Sequence, residues 1–200
     1  MRSETQKPAS YQPVDVERVM QAAGSLFATF GYEGVGTREI ARSSGCHVPS
    51  IYYHFSSKEN LYREVFDERW GELLDSVQQA LNIAEAPQAR LQAFIATFYE
   101  YFAQDRELLV LLMRDVINAS VAPPRYQSGS GHARLLAMTV QLLSELRGRE
   151  VDTHLAFTVM SLIFGYGCGL QLTGGETIDA ATRKQHLFEM VLRMIGVDAA

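Results

Sequence analysis

The sequence predicts an all-α protein with about nine helices, and the spacing of its apolar residues carries that prediction. Apolar residues recur three and four positions apart along nearly the whole chain, which places them on one face of a helix. No segment shows the sustained alternation of apolar and polar residues that marks a half-buried strand. With 200 residues, of which 47% are hydrophobic, the chain is long enough to bury a sizeable core.

The composition narrows the class of protein further. No apolar run approaches the ~20 residues that a membrane-spanning helix needs. The polar N-terminus lacks the apolar stretch of a secretory signal, and we expect residues 1–13 to form a flexible arm. Cys46 and Cys168 lie too far apart for a metal or redox pair. These observations predict a cytoplasmic protein with no cofactor, no metal site and no membrane partner.

The first two helices are predicted on either side of a glycine-rich linker. The first follows Pro13 and carries an apolar face that includes Phe27. Gly31 is expected to end it, because glycine commonly adopts the left-handed conformation just after a helix. Thr37 is expected to cap a short second helix, which Gly45 closes.

A third short helix and a long fourth one are predicted next. The third covers the segment VPSIYYHF, where Pro49 is tolerated only in a first helical turn. Ile51 and Phe55 are expected to be core residues that hold this helix in place. Ser56 and Glu59 stand at the spacing of a capping box, and so are expected to open the fourth helix.

Five further helical segments complete the chain. Asp105, Asp152 and Asp179 are each expected to cap one of them. The proline- and glycine-containing segments SVAPPRYQSGSG and TGGET are predicted as loops. The five helices are expected at about residues 89–102, 106–119, 132–147, 153–172 and 180–195.

Ten residues of the N-terminal segment stand at a characteristic spacing, namely Thr37, Ile40, Ala41, Gly45, Tyr52, His54, Phe55, Lys58, Glu59 and Leu61. With these residues in place, the segment from about Val14 to Leu61 resembles the DNA-binding domain of the TetR family of transcriptional regulators. The rest of the chain matches the family only in length and helical pattern. The resemblance implies a DNA-binding domain at 14–61 and a ligand-binding and dimerisation domain at 62–200.

The same resemblance implies which residues contact DNA. Basic and acidic residues between Val14 and Lys58 balance at four each, so binding must depend on the placement of donors rather than on a basic surface. His47 either contacts DNA or only caps the third helix. His47, Pro49 and Cys46 depart from the family's common pattern, so the base preference is not transferable. The resemblance assigns Thr37, Tyr52, His54 and Lys58 to phosphates, and Arg38, His47, Val48, Pro49, Ser50 and Tyr53 to the groove.

The remaining helices are expected to supply a dimer interface and an effector pocket. The resemblance places the dimer contact in the last two helices, at Gly165, Gly169, Leu187, Phe188, Val191 and Leu192. Large apolar residues in the middle helices are either ordinary core or the lining of a pocket, with Asp115 and His132 as further polar candidates. The residues predicted to line the pocket are Phe98, Tyr101, Phe102, Met113, Arg114, Phe157, Met160 and Phe164.

The resemblance implies a homodimeric repressor that a small apolar or aromatic molecule releases from a palindromic operator. One alternative is a TetR-like protein-interaction module that does not bind an operator. The least supported alternative is an all-α enzyme. The five histidines show no zinc-protease spacing, and neither a GxSxG motif nor a paired-carboxylate motif is present.

Overall fold

The computed structural model describes residues 15–118, 131–172 and 179–197. The predicted arm at residues 1–13 and the predicted loop TGGET lie outside these residues, as does the other predicted loop except for Gly131. The described residues form nine α-helices and no strand, which confirms the predicted all-α class. The helices are α1 (Val16–Gly34), α2 (Thr37–Ser44), α3 (Val48–Phe55), α4 (Lys58–Ile83), α5 (Pro87–Gln104), α6 (Arg106–Asn118), α7 (Gly131–Arg147), α8 (Thr153–Leu172) and α9 (Ala180–Ile195).

The chain divides into two compact units, which we call unit 1 (residues 1–65) and unit 2 (residues 66–200). Helix α4 begins in unit 1 and continues into unit 2. Unit 1 is built around Phe27, which is fully buried. The ring of Phe27 lies 5.9 Å from that of Tyr32 and 5.0 Å from that of Tyr62, so one aromatic cluster joins α1 to the start of α4.

The structure corrects the predicted end of α1. Gly31 adopts φ 75° and ψ 166°, a conformation that is accessible to glycine and strained for other residues. The helix bends there without ending, and helical turns resume as far as Gly34. The glycine-rich linker is therefore shorter than the sequence predicts.

Two helix starts also differ from prediction by one residue. Gly36 occupies the N-cap position of α2 in an extended conformation, and Thr37 is already helical, so Thr37 does not cap. At α4 the capping side chain belongs to Ser57, whose hydroxyl accepts from the Asn60 N–H at 3.0 Å. The capping box predicted to begin at Ser56 is wrong, because Ser56 closes α3 with a left-handed φ of 63°.

The helix boundaries predicted at Gly45, at Pro49 and at three aspartates are confirmed. Gly45 closes α2 with φ 73°, and Pro49 lies in the first turn of α3. The carboxylates of Asp105, Asp152 and Asp179 each accept from an N–H three residues further on, at 3.0, 2.8 and 3.0 Å. These contacts satisfy N–H groups that have no partner inside the helix.

In unit 2, helix α5 contacts α6, α7, α8 and α9. Arg69 on α4 donates to Asp105 at 2.5 Å and to Glu107 at 2.9 Å, which ties α4 to the corner between α5 and α6. The hydroxyl of Tyr101 donates to the Arg69 carbonyl at 3.0 Å and adds to the same connection. No helix in the described ranges is long and apolar enough to cross a membrane.

Candidate nucleic-acid interface

Helices α2 and α3 form a helix-turn-helix in which α3 is fixed by two buried side chains. Ile51 is fully buried and Phe55 is 2% exposed, which confirms both as core residues. They stand four positions apart and therefore lie on one face of α3. The opposite face is exposed, with Tyr53 79% and Tyr52 46% accessible. Helix α3 therefore presents a polar and aromatic surface outward.

The residues predicted to contact DNA are all accessible to some degree, and most surround this surface. Arg38 is exposed near the start of α2, and His47 and Pro49 are exposed at the start of α3. Thr37, Val48, Ser50 and Lys58 are half-buried, whereas Tyr52, Tyr53 and His54 are exposed along α3.

Two hydroxyls from different helices meet beside α3. The Thr37 hydroxyl, in the first turn of α2, lies 3.4 Å from that of Tyr52. The first N–H groups of a helix lack intrahelical partners, and the dipole favours an anion at this end. These hydroxyls and the start of α2 can therefore donate together to a phosphate group.

His47 occupies the N-cap position of α3, but its side chain makes no capping hydrogen bond. His47 therefore stands at the capping position, but its side chain does not cap the helix. The imidazole is exposed. Nearby, the Cys46 thiol is half-buried and lies 3.2 Å from the Ser44 hydroxyl.

Lys58 differs from the other predicted phosphate contacts. Its ammonium group donates to the carbonyl of Tyr32 at 2.7 Å and to that of Val35 at 2.9 Å. It also lies 4.1 Å from the centre of the Tyr32 ring. The sequence did not reveal these contacts, because their partners lie 26 and 23 positions away in the chain.

Unit 2 contains a cavity of about 150 Å³ with an almost entirely apolar wall. Five of the predicted pocket residues line it, namely Phe98, Phe102, Phe157, Met160 and Phe164. The sequence had also named His132, which lines the cavity and whose ring lies 4.4 Å from that of Trp70. The remaining lining residues are Trp70, Leu112, Leu135 and Ser161.

Three predicted pocket residues do not line this cavity. The hydroxyl of Tyr101 shares its single proton between the Arg69 carbonyl at 3.0 Å and a Glu72 carboxylate oxygen at 3.1 Å, so it forms part of the connection to α4. Met113 and Arg114 are half-buried outside the lining. The side chain of Asp115 falls outside the described residues.

The residues predicted at the dimer interface have different surroundings. Gly165 is exposed on α8, and a Cβ atom added there would meet no atom within 4 Å. The surroundings of Gly169 lie outside the described residues. Leu187, Phe188, Val191 and Leu192 are 5% exposed or less, because they pack inside unit 2. These four side chains are therefore not accessible to a partner, whereas Phe157, Met190 and Met194 are 63%, 37% and 39% exposed.

Comparison with known proteins identifies relatives of both the N-terminal segment and the whole fold. Residues 19–65 match the family described as bacterial regulatory proteins, tetR family. The transcriptional activator FasR of Mycolicibacterium smegmatis is 33% identical over 90 residues, which are 45% of this chain and 41% of FasR. The transcriptional repressor KstR2 of the same organism is 30% identical over 99 residues, which are 50% of this chain and 48% of KstR2. The chain thus spans less than half the length of these two relatives.

Many solved structures share the fold, and two of them illustrate the likeness. One is a putative transcriptional regulator from Pseudomonas aeruginosa PAO1, with a TM-score of 0.76, 20% identity and 90% of each chain covered. The other is the fatty acid degradation regulator FadR from Bacillus halodurans, with a TM-score of 0.73, 18% identity and coverage of 94% of this chain and 97% of FadR. Both relatives are named as regulators of transcription and not as enzymes. On this evidence residues 19–65, which include the helix-turn-helix of α2 and α3, are a segment of the kind found in the tetR family of bacterial regulatory proteins.

Proposed function

We propose that the protein is a homodimeric repressor in the cytoplasm, released from a palindromic operator by a small apolar or aromatic molecule. The observation that carries the proposal is the shape of α3, which is anchored by Ile51 and Phe55 and exposes Tyr52 and Tyr53. A short helix held in this way can enter the major groove with its outer side chains against base edges.

Two copies are proposed because one recognition helix reads too little DNA. Helix α3 has eight residues and is therefore about 12 Å long at 1.5 Å per residue. A two-fold axis that places a second α3 about 34 Å away would match successive turns of the major groove and require a palindromic site. We propose that the partner covers the accessible apolar residues of α8 and α9, namely Phe157, Met190 and Met194.

The cavity in unit 2 suggests the size of the effector. A cavity of about 150 Å³ with apolar walls is large enough for a molecule such as benzene, while drug-sized ligands need about 300 Å³ or more. We therefore propose a ligand with a single ring, or an aliphatic molecule of similar size. A larger effector would have to bind a wider form of the cavity.

Repression is proposed because a dimer on its operator excludes other proteins from the same DNA by its bulk alone. The direction of control is a separate question from DNA binding, since FasR is named an activator and KstR2 a repressor. Transcription from a promoter that contains the operator should fall when the protein is added and recover with the effector. A rise on addition would contradict repression and leave operator binding intact.

Selection of bound sequences from a random DNA pool tests whether the protein binds a specific DNA sequence. A palindromic consensus is expected, and Tyr53→Ala should weaken binding to it by about tenfold or more. Phe30→Ala is the matched control, since Phe30 is an aromatic residue of unit 1 that is 56% exposed and lies on α1. The absence of any consensus would favour the protein-interaction module.

A further inference from the structure

We propose that Lys58 is a positioning residue that fixes the end of α1 and the start of α2, and that it does not bind a DNA phosphate. This assignment differs from the phosphate contact that the family resemblance implies. It rests on the proposal that unit 1 binds DNA. All the atoms that carry it lie within unit 1.

The contacts of Lys58 leave its ammonium group committed to the protein. An ammonium group has three N–H donors, and two of them are used by the carbonyls of Tyr32 and Val35 at 2.7 and 2.9 Å. The Tyr32 ring lies 4.1 Å from the same nitrogen, within the range of a cation–π contact. A side chain that turned toward a phosphate would lose both hydrogen bonds and the ring contact.

The two carbonyls belong to the C-terminal end of α1. Tyr32 lies in its last turn and Val35 is its C-cap residue. Carbonyls at a helix C-terminus lack intrahelical partners and carry the negative end of the dipole, so a cation there is stabilising. The last turn of α1 contains no basic residue of its own. Lys58 supplies that cation from the first position of α4.

This contact matters for DNA binding through the segment that follows α1. Val35 is separated from the first residue of α2 by Gly36 alone, so holding the Val35 carbonyl limits where α2 can begin. Thr37, which meets the Tyr52 hydroxyl, and the exposed Arg38 both stand in that first turn. Lys58 therefore places these groups without touching DNA itself.

Hydrogen exchange and salt dependence on Lys58→Met test the proposal. Without DNA, the amides of residues 31–39 should exchange at least about fivefold faster in Lys58→Met than in the wild type, because the end of α1 is released. Arg42→Met is the matched control. It removes the same charge from a side chain of unit 1 that is 82% exposed, and it should leave exchange at residues 31–39 unchanged.

Operator affinity measured across salt concentrations then separates the two roles. A phosphate contact contributes about 0.9 to the slope of log affinity against log salt, so its loss would lower the slope by that amount per subunit. We expect Lys58→Met to weaken binding at least about fivefold with the slope unchanged. A lower slope, or unchanged exchange at residues 31–39, would overturn the assignment. If the wild type selects no operator, the proposed function fails, while the exchange result still decides whether Lys58 holds α1.

Discussion

Replacing Phe55 with alanine should unfold unit 1 selectively. Phe55 is 2% exposed, and removing a buried phenylalanine side chain costs about 3–5 kcal/mol. The described part of unit 1 has about fifty residues, and domains have about 0.05–0.15 kcal/mol of stability per residue, which gives about 2.5–7.5 kcal/mol. The substitution therefore removes a large part or all of the stability of unit 1.

Two measurements on the same sample test this prediction. Fluorescence anisotropy should show loss of operator binding by Phe55→Ala, and hydrogen exchange should show loss of protection across α1, α2 and α3. Protection in α5 and α8 should remain. Phe30→Ala is the control, and it should change stability by no more than about 0.5 kcal/mol because Phe30 is 56% exposed. Wild-type operator affinity in Phe55→Ala would refute the role of α3, and loss of protection throughout unit 2 would refute selective unfolding.

Three further predictions concern unit 2. Arg69→Met should lower the free energy of unfolding by about 2–3 kcal/mol, because it leaves the carboxylates of Asp105 and Glu107 without their cation. Urea titrations measure this loss, and a loss below about 0.5 kcal/mol would contradict the prediction. Burial, followed by the charge of Glu72, raises the pKa of Tyr101. The folded protein therefore keeps the Tyr101 proton at a pH where the unfolded chain releases it. The wild type should lose stability relative to Tyr101→Phe as the pH rises above about 10. If the free energies of unfolding of the two proteins change in parallel from about pH 9 to 11, the effect is absent. Met194→Glu should give a monomer by light scattering at micromolar concentration. The control Ile83→Glu, at a site on α4 that is 82% exposed, should stay dimeric. A dimeric Met194→Glu would exclude the exposed face of α9 as the interface.

The helices could be predicted because their ends are set by local chemistry. Asp105, Asp152 and Asp179 each satisfy an N–H group only three residues away, and such a contact is visible in the sequence. The errors at the starts of α2 and α4 fell where two neighbouring residues could both serve as the cap. Ser56 and Ser57 are equally good caps by type, and only the left-handed turn at the end of α3 decides between them.

The sequence predicts which side chains of α3 are buried and which are exposed, but it does not predict the contacts of Lys58. The burial of Ile51 and Phe55 follows from their spacing, and the exposure of Tyr52 and Tyr53 follows from the same geometry. The role of Lys58 does not, because its type and position at a helix start suit a phosphate as well as a carbonyl. Its partners come from the far end of α1, and no local pattern shows them.

The dimer interface could not be predicted from the apolar pattern of α9. Its widest apolar stripe, which includes Leu187, Val191 and Ile195, is buried, because unit 2 needs that stripe for its own core. An apolar residue outside the stripe gains little from the protomer and is therefore the better candidate for contact with a partner. Met190 and Met194 stand four positions apart on that second face and are 37% and 39% exposed. The strongest apolar pattern in a helix thus indicates the core, and the weaker pattern beside it is where a dimer should be tested.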